Sequence, residues 1–72
     1  MRNFLKKARF EKGDLSQQQV AEKVGVSRQT IISIERGDYN PSVKLALLLA
    51  TKLDVSVDQL FQLEEADHDE TR

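Results

Sequence analysis

The chain has 72 residues, of which 39% are hydrophobic and 32% are charged, with only three Gly and one Pro. This length supports one compact core, and the composition is typical of a globular, helix-rich domain rather than a disordered chain. The absence of Cys excludes disulfides and thiolate metal sites. The longest apolar run, at 45–50, is too short for a membrane span, and no apolar signal region begins the chain. We therefore expect one cytoplasmic domain that does not span a membrane.

The formal net charge of -1 is unevenly distributed along the chain. Residues 64–72 hold five acidic residues and one Arg, whereas residues 1–63 carry ten Lys or Arg against seven acidic residues, a net charge of +3. Non-specific DNA binding depends on local neutralisation of phosphates, so a mildly basic domain can bind DNA when its cations share a face. We expect residues 1–63 to form the domain and residues 64–72 to be a disordered acidic tail.

Serine residues mark the predicted beginnings of the helices. Four of them precede apolar-periodic stretches, where a Ser side chain can bond the free N–H groups of a first helical turn: Ser16, Ser27, Ser42 and Ser56. A Gln three residues after the first and the last of these serines completes a capping-box pattern.

Glycines mark the predicted helix ends, because Gly adopts the left-handed conformation at little cost. They are Gly13, Gly25 and Gly37, and Pro41 fixes the turn before the fourth helix. These signals predict an all-α fold with five helices, at 3–12, 16–24, 27–36, 42–53 and 56–62. A short strand at 61–63, paired with the N-terminus or with a partner chain, is the alternative at the C-terminal end.

The helices predicted at 16–24 and 27–36 flank a turn at Val24-Gly25-Val26. Ala21 supplies the small residue that a close helix crossing needs, and Gly25 supplies a positive φ. On the second helix, Ile31 and Ile34 point to one side, and a wedge on the other side holds Arg28, Gln29, Ile32, Ser33 and Arg36. Arg pairs with guanine, Gln with adenine and Ser with several groups, and an apolar side chain can meet a thymine methyl. The wedge predicts a surface that reads DNA bases.

The segment and its flanks resemble the Cro/repressor-type, or Xre-like, helix-turn-helix family. The matching residues are Leu15-Ser16-Gln17, Val20-Ala21, Val24-Gly25-Val26-Ser27, Gln29-Thr30-Ile31, Ile34-Glu35-Arg36-Gly37 and Asn40-Pro41-Ser42. The resemblance covers roughly residues 3–63. It implies a compact, lambda-repressor-like bundle of five helices, in which helix 27–36 lies in the major groove and helix 16–24 lies across the DNA backbone.

The resemblance also implies roles for single residues. Base-reading positions correspond to Arg28, Gln29 and Ser33, with Ile32 beside them. Ser27 and Thr30 correspond to positions near the DNA backbone. Phosphate contacts correspond to Gln17, which resembles a clamp at a helix N-terminus, and to Arg36, Asn40 and Lys44. Arg9 and Glu35 resemble a structural ion pair between the first and third helices. Asp14 is one residue more than the commonest family spacing has, and we expect it to lengthen the first turn.

Apolar residues outside the core predict how the chain assembles. Leu48 falls in the polar wedge of helix 42–53 and is either an ordinary surface residue or a partner contact. Phe61 and Leu63 lie where small members of the resembled family often dimerise. We expect a homodimeric repressor on an inverted-repeat operator, because a two-fold dimer matches a two-fold site. The alternative is an antitoxin-like or adaptor protein whose main partner is another protein.

No residues in the sequence indicate catalysis, a cofactor or a small-molecule ligand. His68, between Asp67 and Asp69, lacks the additional rigid ligands that a tight metal site needs. There is no Gly-rich phosphate loop and no carboxylate pair in a plausible pocket. We therefore expect neither an enzyme nor a metalloprotein.

Overall fold

The structure is a computed structural model that describes residues 1–68. Within this part of the chain five α-helices follow one another: α1 (Leu5–Glu11), α2 (Gln17–Val24), α3 (Arg28–Arg36), α4 (Val43–Lys52) and α5 (Val57–Leu60). Two short strands, β1 (Arg2–Asn3) and β2 (Phe61–Gln62), and a 3-10 helix at Glu65–His68 complete it. The prediction of a five-helix bundle is confirmed. Within residues 1–68, none of the helices has the length and apolar content that a membrane span requires.

The serine caps stand where the sequence predicted them. The Ser16 hydroxyl accepts a hydrogen bond from the Gln19 backbone N–H at 3.0 Å, and the Gln19 side chain accepts one from the Ser16 N–H at 2.7 Å. The same reciprocal capping box begins α5 at Ser56, and simple serine caps begin α3 and α4. Each cap satisfies N–H groups that a helix leaves free at its first turn, so it fixes where the helix begins.

The turn after α1 contains two residues with positive φ. Gly13 has φ 124° and Asp14 has φ 54°. Asp tolerates the left-handed region better than most residues with a Cβ. The turn thus accommodates Asp14 as the additional residue. After it, the Leu15 N–H donates to the Arg9 carbonyl at 3.0 Å.

The two ends of the helical body pair with each other, which corrects the predicted bounds of the first and last helices. Arg2 lies opposite Gln62 and Asn3 opposite Phe61 in an antiparallel pair. The Phe4 N–H then donates to the Leu60 carbonyl at 2.8 Å. The first helix therefore begins at residue 5 rather than 3, and the last ends at residue 60 rather than 62. Of the two alternatives for a strand at 61–63, pairing with the N-terminus is the one observed.

The core lies between the five helices. Its fully buried side chains are contributed by every helix: Leu5, Val20, Ala21, Ile31, Leu49 and Leu60. Leu48 is half-buried and packs against this core, whereas the exposed apolar side chains of α4 are Val43 and Leu47. The sequence predicted Leu48 in the polar wedge, but in the structure the neighbouring Leu47 is the exposed residue. Helix α4 is apolar almost all round, so its periodicity did not identify the outward face.

The segment expected to be an acidic tail begins with ordered structure. Glu65–His68 form a 3-10 helix, and the amino group of Met1 lies 3.2 Å from a Glu64 carboxylate oxygen and 3.0 Å from one of Asp67. Hydrogen bonds to these two carboxylates raise the pKa of the Met1 amine, and the Asp67 carboxylate has the larger effect. Residues 69–72, which include the other acidic residues of the expected tail, lie outside the described residues.

Candidate nucleic-acid interface

Helices α2 and α3 pack directly against each other across a tight turn. Ala21 is fully buried at their crossing, and its carbonyl accepts hydrogen bonds from the N–H groups of Gly25 at 2.9 Å and Val26 at 3.0 Å. Gly25 has φ 77°, a conformation that costs a residue with a Cβ free energy. The small residue and the glycine therefore fix the angle at which α3 leaves α2, which is the arrangement predicted for a helix-turn-helix.

The two faces of α3 differ as the sequence predicted. Ile31 and Ile34 are 0% and 1% exposed and anchor the helix inward. The opposite face presents a guanidinium, an amide and a second guanidinium to solvent, and an apolar and a hydroxyl side chain are half-buried between them: Arg28, Gln29, Arg36, Ile32 and Ser33. This outer face of α3 is open to an approaching duplex and carries hydrogen-bonding groups of the kinds that read base edges.

The N-terminal hydroxyls of α3 already have partners. Ser27 caps the helix by accepting a hydrogen bond from the Thr30 N–H at 3.2 Å. Its hydroxyl also lies 3.1 Å from the Thr30 hydroxyl. The two residues form one small polar edge at the start of α3, beside the predicted base-reading positions.

A buried polar network joins α1, α2 and α3. The Arg9 guanidinium donates to both Glu35 carboxylate oxygens, with Nε 2.6 Å from Oε2 and Nη2 3.1 Å from Oε1. A third Arg9 nitrogen donates to the Leu15 carbonyl at 2.8 Å. The side chains of Arg9 and Glu35 are only 6% and 9% exposed. The ion pair implied by the family resemblance is therefore present, and it links the first helix to the third.

Gln17 belongs to the same network, which the sequence did not indicate. Its side-chain amide donates to Glu35 Oε1 at 3.0 Å. A primary amide has two N–H groups, so this bond leaves one for another acceptor. The Glu35 carboxylate therefore holds the Gln17 amide at the N-terminus of α2, which is where the predicted phosphate clamp requires it.

The remaining predicted phosphate contacts lie between the end of α3 and the first turn of α4. Arg36, Asn40 and Lys44 are all exposed. Arg36 Nε lies 3.4 Å from a carboxylate oxygen of Asp38, in a pair whose two side chains are 69% and 60% exposed. Such an exposed pair is weak, so a phosphate can compete with Asp38 for the guanidinium. Nothing in the sequence pattern indicates this competition.

Tyr39 lies against the outer face of α3, although no role was assigned to it from the sequence. It follows the end of α3 and is 46% exposed. With the N-cap serine and three residues of α3 it lines an open hollow of about 270 Å³: Ser27, Gln29, Thr30 and Ser33. Its position directly before the Asn-Pro-Ser turn was the available signal, but its separation from Gln29 along the chain gave no indication that the two residues line the same hollow.

The three residues predicted to form a dimer interface differ in their exposure to solvent. Leu63 is 61% exposed, whereas Phe61 and Leu48 are half-buried and pack against the core. Other exposed apolar side chains are Phe10, Val43 and Leu47. Among residues 1–68, no group of three or more His, Cys, Asp or Glu side chains is arranged to hold a metal ion.

Known proteins similar to this chain share its sequence along most of the helical body. A protein-family model described as helix-turn-helix matches residues 5–60. The transcriptional regulator MJ0272 of Methanocaldococcus jannaschii is 48% identical over 52 residues, which are 72% of this chain and 79% of that protein. The regulator YgzD of Bacillus subtilis is 43% identical over 65 residues, 90% of this chain and 97% of YgzD. Both are named as helix-turn-helix-type regulators.

Solved structures of two further proteins share the fold. The restriction-modification controller protein C.AhdI from Aeromonas hydrophila superposes with a TM-score of 0.71 at 40% identity, over 79% of this chain and 85% of C.AhdI. The N-terminal DNA-binding domain of SinR from Bacillus subtilis superposes with a TM-score of 0.72 at 39% identity, over 85% of this chain and 88% of that domain. A structure of SinR, a master regulator of biofilm formation, in complex with DNA matches with a TM-score of 0.67 at 42% identity, over 74% of this chain and 84% of that one. With this helix pair, these similarities and the family match, the chain belongs to the Xre-like helix-turn-helix family of DNA-binding transcriptional regulators and not to an enzyme family.

Proposed function

We propose that this regulator is a repressor that binds an inverted-repeat operator as a homodimer, with α3 in the major groove. The observation that carries the proposal is the division of α3 into a buried isoleucine side and an exposed polar side. A helix fits the major groove of B-DNA, and side chains on its outward face then reach the base edges. Occupation of promoter DNA would exclude polymerase and give repression in the cytoplasm.

The proposed contacts divide into two classes. Base edges are read by the outward side chains of α3, namely Arg28, Gln29, Ile32 and Ser33. Phosphates are held by residues on either side of them, namely Gln17, Ser27, Thr30, Arg36, Asn40 and Lys44. Phosphate contacts supply affinity that depends on salt, whereas base contacts supply discrimination between sequences.

The charges around α3 support this division. Glu35 lies on the same helix, but its carboxylate is held by Arg9 and Gln17 and is turned away from solvent. Asp38 follows the end of α3, so the pair with Arg36 that a phosphate would displace lies at the edge of this face. The net charge of +3 on residues 1–63 can therefore act on phosphates at this face without an unpaired carboxylate at its centre. We assign residues 1–63 to the DNA-binding domain and residues 64–72 to an acidic extension of it.

The homodimer is proposed from the apolar surface at the end of the helical body. Leu63 is exposed there, next to Phe61, and Leu48 completes the proposed interface from α4. A two-fold dimer would place two copies of α3 about one DNA turn apart.

The test compares operator and unrelated duplexes at one stated salt concentration. The operator is first isolated from random duplexes with the wild-type chain. R28A and Q29A should each weaken operator binding by about 5- to 150-fold, since a bidentate pair is worth about 1–3 kcal/mol. Binding to unrelated DNA should change much less. K52A is the matched control, because it removes an exposed cation near the end of α4 and should leave the preference for the operator intact.

Equal losses of operator and unrelated binding in R28A and Q29A would contradict the proposed base contacts. A wild-type chain that selects no sequence from random duplexes would contradict the proposed function itself. The dimer is tested separately by sedimentation equilibrium, where L63S should shift the wild-type dimer to monomer. A wild-type chain that sediments as a monomer at micromolar concentration would contradict the homodimer.

An antitoxin-like or adaptor role is the second candidate, and the exposed apolar side chains favour it. Leu47 is 53% exposed and Leu63 is 61% exposed, and exposed apolar side chains can mark a surface that contacts another protein. If capture of a partner protein were the main role, the double variant L47S/L63S should lose that partner and keep its affinity for DNA. Loss of dimer and of operator binding together would support the repressor instead.

A further inference from the structure

We propose that Tyr39 is an additional DNA contact, whose hydroxyl donates to a backbone phosphate while its ring covers the adjoining deoxyribose. This inference rests on the proposed function and names a residue that the base and phosphate assignments above do not include. Its basis is the hollow that Tyr39 lines together with Gln29 and Ser33, two of the proposed base-reading residues.

The backbone holds Tyr39 in place before any DNA arrives. Gly37, with φ 83°, ends α3 in the left-handed conformation, and its N–H donates to the Ile34 carbonyl at 3.0 Å. The Asp38 N–H donates to the Ser33 carbonyl at 2.9 Å. These two bonds form the paired arrangement that closes many helices, so they fix the backbone that leads from α3 to Tyr39. The backbone position of Tyr39 beside α3 is thus preorganised.

The location of the ring determines which part of a duplex it would meet. On α3, Ser33 and Thr30 lie on the side of the outer face away from Arg28 and Ile32, because positions three apart share a helix side. Tyr39 lines the hollow on that side. With α3 in the major groove, the rim of the reading face meets the sugar-phosphate strand that borders the groove. An aromatic ring with a polar tip suits that border, since the ring can cover apolar sugar atoms and the hydroxyl can reach a phosphate oxygen.

The hydroxyl of Tyr39 is available for this contact. Within residues 1–68 it has no hydrogen-bonding partner in the protein, unlike the neighbouring hydroxyls of Ser27 and Thr30, which bond each other. The hollow is about 270 Å³ and opens on the outer face of α3, so a docked duplex would close it and displace its water. Exclusion of water strengthens the hydrogen bonds of Gln29 and Ser33 to bases, and the ring of Tyr39 forms the wall that completes this exclusion.

The chain provides its own probe, because Tyr39 is its single Tyr and it contains no Trp. Ultraviolet emission of the wild-type protein therefore reports on Tyr39. We expect the isolated operator duplex to quench this emission and to reduce its further quenching by acrylamide. N-acetyltyrosinamide mixed with the same duplex corrects for light absorbed by the DNA.

Two substitutions separate the ring from the hydroxyl. Y39F should weaken binding to operator and to unrelated DNA by a similar factor of about 10, because only a phosphate contact is lost. Y39A should lose more affinity and should also reduce the ratio of operator to unrelated binding, because the wall beside Gln29 and Ser33 is removed. F10A is the matched control, since Phe10 is also a half-exposed aromatic residue, at 49%, but lines a different hollow on α1.

The outcomes distinguish this inference from the proposed function. If the wild-type chain prefers its operator while Tyr39 emission is unchanged and Y39F and Y39A bind as tightly as wild type, the Tyr39 contact is refuted and the repressor proposal stands. If the wild-type chain binds no duplex, both are refuted. Quenching by the operator together with the graded losses in Y39F and Y39A supports the contact.

Discussion

Removal of either partner of the buried Arg9–Glu35 pair should lower the free energy of unfolding by several kcal/mol. R9M deletes three of the hydrogen bonds described above and leaves the Glu35 carboxylate, 9% exposed, with only the Gln17 amide. Loss of one partner of a buried ion pair costs about 3–5 kcal/mol, because a charge stays buried without compensation. In a domain of this size each kcal/mol shifts the melting temperature by roughly 4–8 °C, so R9M should lower it by on the order of 12 °C or more.

The double variant R9M/E35L separates the strength of the pair from the cost of breaking it. Replacement of both charges by apolar side chains of similar volume is often neutral or stabilising, so the double variant should unfold at a higher urea concentration than R9M alone. Unfolding is followed by circular dichroism at 222 nm, and the free energies are extrapolated to zero urea. A loss below about 1 kcal/mol in R9M would refute the reasoning, because that is the value of a solvent-exposed pair.

Three further predictions follow from single residues. S16A removes the hydroxyl that caps α2 and should lower the free energy of unfolding by about 1 kcal/mol, measured by urea denaturation. G25A should lower the free energy of unfolding by about 1 kcal/mol or more, because Gly25 has φ 77°. A new Cβ would touch nothing, so the cost is conformational. G25N should lose less stability, because Asn tolerates this region. Lys12 lowers the pKa of the Asp54 carboxyl through a side-chain hydrogen bond and charge attraction, so K12M should raise that pKa toward its ordinary value in an NMR titration. Asp54 stabilises the fold above the pKa of its unfolded form, and this contribution is lost as the pH falls through the folded pKa; a pKa unchanged in K12M would show that the pair does not form in solution.

The parts of the fold that local chemistry determines could be predicted from the sequence. Ser16 and Ser56 begin helices because each satisfies N–H groups only three residues away. Gly25 and Gly37 end helices because the left-handed conformation is needed at one position. The two faces of α3 followed from the helical period, since Ile31 and Ile34 are one turn apart. These signals lie within a few residues of the structure that they specify.

Contacts between distant residues could be predicted only in part. Pairing of a strand at 61–63 with the N-terminus was one of two alternatives, but the register of Arg2–Asn3 with Phe61–Gln62 and the shortening of both terminal helices were not predicted. The hydrogen bond from Gln17 to Glu35 connects residues 18 positions apart, and nothing in their spacing indicates it. Leu47 rather than Leu48 faces solvent, because an almost wholly apolar helix can turn either side to the core.

Base reading by the outward side chains of α3 is tested most directly by parallel selection from random duplexes. The wild-type chain, R28A and Q29A are each used to select duplexes at the same salt concentration. We predict that each variant loses the preference for a base pair at one position of each half-site and retains the rest of the wild-type sequence. Selection of the same sequence, with the same preferences, by all three proteins would contradict base reading by these side chains.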